Sequence, residues 1–162
     1  MSAFWRARPV AAILGAILGM CMIAAASSPA FAQNRKGEIY TGLLSSVAAG
    51  GYDPVAYFSS GKPVEGRSDL TFEWKGATWR FANADNLEAF KAKPQAYAPQ
   101  FGGHCAWAVS QGYKAKGDPR HWRIVDGKLY LNYDARIHAT WQNDIPGHIS
   151  KADQNWPSVL AK

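Results

Sequence analysis

Cysteine is scarce in this chain. Of 162 residues only Cys21 and Cys105 carry a thiol. Cys21 lies inside an apolar leader, so a processed chain keeps Cys105 alone and forms no internal disulfide. Exported proteins favour disulfides, so this fold must rest on its core. Basic residues are scattered as Lys62, Lys75, Lys91, Lys114, Lys128 and Lys151. Without a run of like charge, a nucleic-acid or heparin surface is excluded. No Gly-x-Ser-x-Gly elbow or phosphate-binding glycine loop occurs, so neither serine hydrolysis nor nucleotide cradling is indicated. His121, His138 and His148 lack the short spacing to another His or Cys that marks a closed zinc site. No internal repeat and no low-complexity segment is visible.

The start of the chain reads as a secretory signal. Arg6 and Arg8 form a basic region, Val10 to Ala26 is apolar, and Ser27-Ser28-Pro29 breaks the run. Ala30-Phe31-Ala32 supplies the small-x-small cleavage pattern, which predicts cleavage after Ala32 and a periplasmic or secreted product. A retained anchor is disfavoured because the run falls short of the ~20 apolar residues of a spanning helix. Lipid attachment at Leu18-Gly19-Met20-Cys21 is disfavoured by Met20, where that motif takes Gly or Ala. Loss of Arg6 and Arg8 lowers the net charge from +6 to +4. No stable membrane span is expected after cleavage.

The processed chain predicts one α+β domain. Residues 33–50 form a lead-in, in which Leu43, Leu44 and Val47 are expected to dock as one helical turn. Residues 51–160 form the domain. Thr71–Trp74 and Thr78–Phe81 alternate apolar and polar residues around Lys75-Gly76, the pattern of a β-hairpin. Trp122–Val125 and Lys128–Tyr133 flank Asp126-Gly127, a stronger hairpin signal. About four short helices are expected: one capped at Asn83 or Asp85 and stopped by Pro94, one over His104–Gln111, one over Ala135–Trp141, and one over His148–Trp156. Ile145-Pro146-Gly147 is expected to separate the last two, and Pro157 to close the chain's final helix. The order implies a small single domain with two hairpins packed against helices.

The candidate site lies in Gly102-Gly103-His104-Cys105. Two glycines let backbone come close, and Cys105 is expected to open a helix, whose free N–H groups favour a thiolate. His104 and Cys105 can serve one ion only if His104 lies just outside that helix. His121, in a loop before a strand, is the preferred remote partner. The alternative is a buried cysteine acting as a small apolar residue.

Longer stretches carry a family resemblance. Tyr52-Asp53-Pro54-Val55-Ala56-Tyr57-Phe58, Trp79–Asn86 and Phe90–Tyr97 resemble the YHS domain. Gly102–Ala106, Lys128–Tyr133 and Ala152–Pro157 are similar to its exported bacterial branch. Metal-handling members of the family carry cysteines where this chain has Ala56, Ala82 and Asn86, so their metal site does not carry over. The resemblance implies that Cys105, a position some similar proteins fill with selenocysteine, is reactive or binds soft metal.

Three readings follow. Cys105 with His104 or His121 binds copper or another soft ion, the site being completed by a partner protein or a second copy. Alternatively Cys105 is a redox thiol that lacks a resolving cysteine in the same chain. In the third reading the domain is a non-catalytic interaction module. Tyr52, Asp53, Tyr57, Gly102, Gly103, Trp107 and Tyr130 are the expected pocket residues. No catalytic constellation is identifiable.

Overall fold

The computed structural model describes residues 37–162, and the expected leader and its cleavage point lie outside them. A 3-10 turn over Ala48–Gly51 precedes α1 (Ala56–Ser59). The first hairpin, β1 (Arg67–Trp74) and β2 (Ala77–Phe81), leads into α2 (Ala84–Ala92) and α3 (Pro94–Tyr97). A second 3-10 turn, Gln100–Gly103, precedes α4 (Ala106–Ser110). The second hairpin, β3 (Asp118–Val125) and β4 (Lys128–Asn132), leads into α5 (Ala135–Gln142) and α6 (Ile145–Leu160). The fold is α+β, with two separate antiparallel two-stranded sheets. No helix among the described residues is long and apolar enough to cross a membrane.

Both hairpins turn in the same way. Lys75-Gly76 and Asp126-Gly127 have positive φ at both central positions (51° and 70°; 49° and 71°). Such turns match the right-handed twist of the flanking strands. In the first sheet, Ala77, Trp79 and Phe81 alternate inward and are fully buried. Trp79 and Phe81 pack on Phe90 of α2, with ring centroids 5.1 and 5.2 Å apart. Burying each such ring contributes about 2–3 kcal/mol. β4 is buried along four successive residues instead. Tyr130 faces Trp141, while Leu129 and Leu131 face Tyr57, so both sides of the strand are covered.

These parallels extend along the chain and overturn the expectation of no repeat. The strand register matches pair by pair: Phe72 opposes Trp79 as Arg123 opposes Tyr130, and Arg67 opposes Phe81 as Asp118 opposes Asn132. Each first strand carries one irregularity, between Arg67 and Thr71 and between Asp118 and Trp122. Before each hairpin the chain passes through positive φ, at Ala49-Gly50-Gly51 and at Phe101-Gly102-Gly103. Gly66 N donates to Gly51 O as Gly117 N donates to Gly103 O. After each hairpin, Asn83 caps α2 and Asp134 caps α5, each accepting from the backbone N–H three residues on (2.8 and 2.7 Å). The aromatic pair Trp79–Phe90 returns as Tyr130–Trp141 (5.7 Å). Identity survives mainly at glycines (Gly50/Gly102, Gly51/Gly103, Gly66/Gly117, Gly76/Gly127) where backbone geometry demands them. A Cβ on Gly66 would strike the Arg80 backbone, and one on Gly117 the Gly103 carbonyl. Elsewhere only the size and polarity of side chains are kept, which leaves no repeat to see in the sequence.

Three other expectations are corrected. Leu43 and Leu44 are 99% and 98% exposed and form no docked turn. α2 ends at Ala92, before Pro94 as expected, and Pro94 opens α3; Pro146, by contrast, lies in the first turn of α6 rather than in a break before it, because proline's missing N–H costs nothing there. Asp144 caps α6 by accepting from Gly147 N at 3.0 Å. Pro157 lies inside α6 and does not end it. The packing of α6 on α4 holds it, with Asn155 donating its amide to the carbonyls of Val109 and Ser110. Among the described residues six α-helices form where about four helices were expected.

Candidate functional site

Cys105 sits at the N-terminal boundary of α4, and three local features fix it there. Phe101, Gly102 and Gly103 turn the chain with φ of 53°, 62° and 84°. Gly102 lies against the Glu38 carbonyl so closely that no Cβ fits, and Tyr40 N donates to Gly102 O at 2.9 Å. Cys105 N donates to Ala115 O at 2.9 Å. The cysteine is fully buried.

Its sulfur belongs to a small polar network in apolar surroundings. The Cys105 thiol donates to Asn132 Oδ1 at 3.7 Å, and Trp107 N donates to the same oxygen at 3.3 Å. Asn132 Nδ2 donates to His138 Nδ1 at 3.1 Å, which leaves the His138 proton on Nε2. Burial pushes the Cys105 thiol up from its ordinary pKa. The backbone N–H groups of Ala108, Tyr133 and Trp107 pull it down, and burial wins. The expected helix-start activation is therefore outweighed: α4 is one short helix, and Cys105 is fully buried.

The expected partners are elsewhere. His104 lies outside the helix, but its Nε2–H donates to the Gly37 carbonyl at 3.1 Å. Its ring packs against Tyr40 and Trp156, with centroids 5.5 and 5.8 Å away. Burial is the main cause that keeps His104 below its ordinary pKa, so it stays neutral. His121 lies on β3 and neither bonds Cys105 nor lines the cavity beside it; burial, then the charges of His121 and Arg123, hold His138 below its ordinary pKa. Sequence spacing passed over both Asn132 and His138. The available signal was Asn132 itself, a polar residue directly after the run Leu129–Leu131 and still within the strand pattern. Among the described residues, no three His, Cys, Asp or Glu side chains converge as metal ligands.

A cavity of about 420 Å³ adjoins the network. Cys105, Trp107, Ala108 and Ile137 form its inner wall; Tyr113, Tyr133 and Arg136 stand at its exposed edge. A second cavity, of about 230 Å³, lies beside the Lys75–Glu38 ion pair and is lined by Gly102 and Trp156. The expected pocket residues therefore do not share one pocket. Trp107 lines the first cavity and Gly102 the second. Tyr52 bonds Glu65, and Tyr57 is buried with its hydroxyl donating to Pro119 O at 2.9 Å. Tyr130 packs between Phe101 and Trp141, and Gly103 against Pro99. Asp53 is fully buried and bonds only within the protein.

Comparison of the chain with protein-family models, curated proteins and solved structures finds no match.

Proposed function

We propose that this chain is an exported, YHS-like binding module that takes a small, largely apolar ligand with an anionic group in the cavity beside Cys105. The observation that carries the reading is the cavity itself, open at one edge and closed by the buried thiol network. Its volume lies in the usual range for ligand sites, about 300–1,000 Å³. Trp107, Ala108 and Ile137 supply the apolar wall. Arg136 makes no ion pair among the described residues, which leaves its guanidinium to meet an anion at the edge. The test is titration with 8-anilinonaphthalene-1-sulfonate, an aromatic anion. One site is expected, weakened by Arg136→Ala and blocked by Thr140→Trp, which fills the cavity edge from an exposed position. Binding unchanged in both variants refutes the assignment. In this reading the leader is cleaved after Ala32, so N-terminal sequencing of the exported form should begin at Gln33.

One observation favours a second reading, soft-metal binding. Cys105 and His138 are both bonded to Asn132, so movement of that amide brings thiolate and imidazole to face each other. Copper(I) titration of the native chain, Cys105→Ser and His138→Ala separates the readings. Equal weak uptake by all three eliminates the metal.

A further inference from the structure

The second cavity draws on both halves and on parts of the chain outside the repeat. Trp74 and Lys75 come from the turn of the first hairpin, Gln95 and Gln100 from the segment that joins the halves, Glu38 from the lead-in and Trp156 from α6. The shared hairpin turn does not demand Trp74 and Lys75, since Val125 and Asp126 take the same places in the second hairpin. The lead-in is pinned at this cavity by three contacts. Gly102 leaves no room for a Cβ beside the Glu38 carbonyl, Tyr40 N donates to Gly102 O at 2.9 Å, and Lys75 Nζ donates to Glu38 Oε1. A wall held in this way is formed before a ligand arrives, which lowers the cost of binding.

The wall is aromatic and polar, and its charges cancel. Lys75 and Glu38 pair with each other, their side chains 22% and 18% exposed. A ligand cation would meet Lys75 Nζ, which lies 5.0 Å from the Trp74 ring centroid, and a ligand anion would meet the Glu38 carboxylate. Charge therefore selects a neutral ligand. The side-chain amides of Gln95 and Gln100 make no hydrogen bond among the described residues, and neither do the indole N–H groups of Trp74 and Trp156. An amide both donates and accepts, as a hydroxyl does, so these groups match a ligand rich in hydroxyls. The half-buried indoles add apolar surface that suits the C–H face of a saturated ring. The volume, about 230 Å³, is below the about 300–1,000 Å³ of sites for drug-sized molecules and suits a single ring. We propose that this cavity binds one pyranose ring of a neutral saccharide, its C–H face against Trp74 and Trp156 and its hydroxyls bonded to Gln95, Gln100 and the Lys75–Glu38 pair. This site is separate from the cavity beside Cys105 and stands whether or not a ligand binds there.

The test is titration of the nitrogen-labelled full chain with glucose, galactose, mannose and N-acetylglucosamine at millimolar concentration, read at the indole N–H signals in NMR. Trp74→Phe and Trp156→Phe assign the two signals. The expected result is a saturable shift of both with at least one of the sugars. Gln95→Ala and Gln100→Ala each remove one hydrogen-bonding amide and should weaken that binding about fivefold. Gln95 is exposed and bonds nothing among the described residues, so its loss leaves the fold intact. Thr140→Trp, which closes the other cavity, should leave the sugar affinity unchanged. Three results overturn the proposal: no shift of either indole with any of the four sugars, equal affinity in the native chain and both glutamine variants, or a shift of the same signals by acetate, choline or uridine at lower concentration than by the sugars.

Discussion

Removing the Asp53 carboxyl group should cost a large share of the domain's stability. Asp53 is 0% exposed and joins three elements: Val55 and Ala56 at the start of α1, Ala82 after β2, and Asn86 in α2. Asp53→Ala leaves four buried donors without their acceptor. An unsatisfied buried donor costs about 1–3 kcal/mol. Shared relaxation makes such costs less than additive, so the expected loss is about 4 kcal/mol or more. Domains of this size are stable by only about 5–15 kcal/mol. Asp53→Asn keeps one acceptor and turns an N–H pair toward Ala82 and Asn86, for a loss of about 2–3 kcal/mol. Urea unfolding followed by tryptophan fluorescence measures both, because Trp79 is fully buried beside this network. Asn86→Ala removes one donor and should make Asp53→Asn less costly in a double-mutant cycle. A loss below about 1 kcal/mol for Asp53→Ala refutes the claim that this carboxyl group ties α1, β2 and α2 together.

Other outcomes follow from the same geometry. Trp141 is fully buried with its Nε1–H unpartnered, and its counterpart in the first half is Phe90. Trp141→Phe should therefore cost within about 1 kcal/mol, and Trp141→Ala about 3–5 kcal/mol, in the same urea assay. Asp118 is held down to about 2, first by its side-chain bond to Arg120. A carboxyl group lowered in the folded state stabilises above its unfolded pKa, so its contribution is present at neutral pH and lost as pH falls toward about 2. Arg120→Ala should flatten that acid limb of the melting-temperature profile. Burial raises the Cys105 pKa, so the folded state resists ionisation and is weakened as pH rises past the ordinary thiol range. Alkylation of Cys105 should be slower than that of the unfolded chain and should inflect at higher pH; a rate equal to the unfolded chain's removes the case for a closed thiol. Gly117→Ala should destabilise as Gly66→Ala does, each through a backbone clash, and a neutral result at either breaks the correspondence between the halves.

Local chemistry was legible in the residue order. Alternating Phe72, Trp74, Trp79 and Phe81 specified one hairpin, and Asp126-Gly127 the turn of the other, because both signals act over a few residues. Asn83 announced a helix start by the same short-range logic. Proline read correctly at Pro94, where α2 has ended, and misled in α6, where position within a helix decides its effect: Pro146 suits a first turn, and Pro157 is carried by contacts with α4. The choice of Cys105 as the centre of interest came from its scarcity in the sequence. Its company did not, since Asn132 and His138 reach it through β4 and α5, while the neighbouring His104 turns to Gly37.

The sequence alone determined an α+β chain with two hairpins, because strand periodicity and turn residues are written in consecutive positions. Only the tertiary structure decided that the two halves repeat one plan, in which Cys105 corresponds to Asp53. Asn132 and His138 lie about thirty residues from Cys105 in the sequence, so the network around its thiol becomes visible only when β4 and α5 are packed against α4.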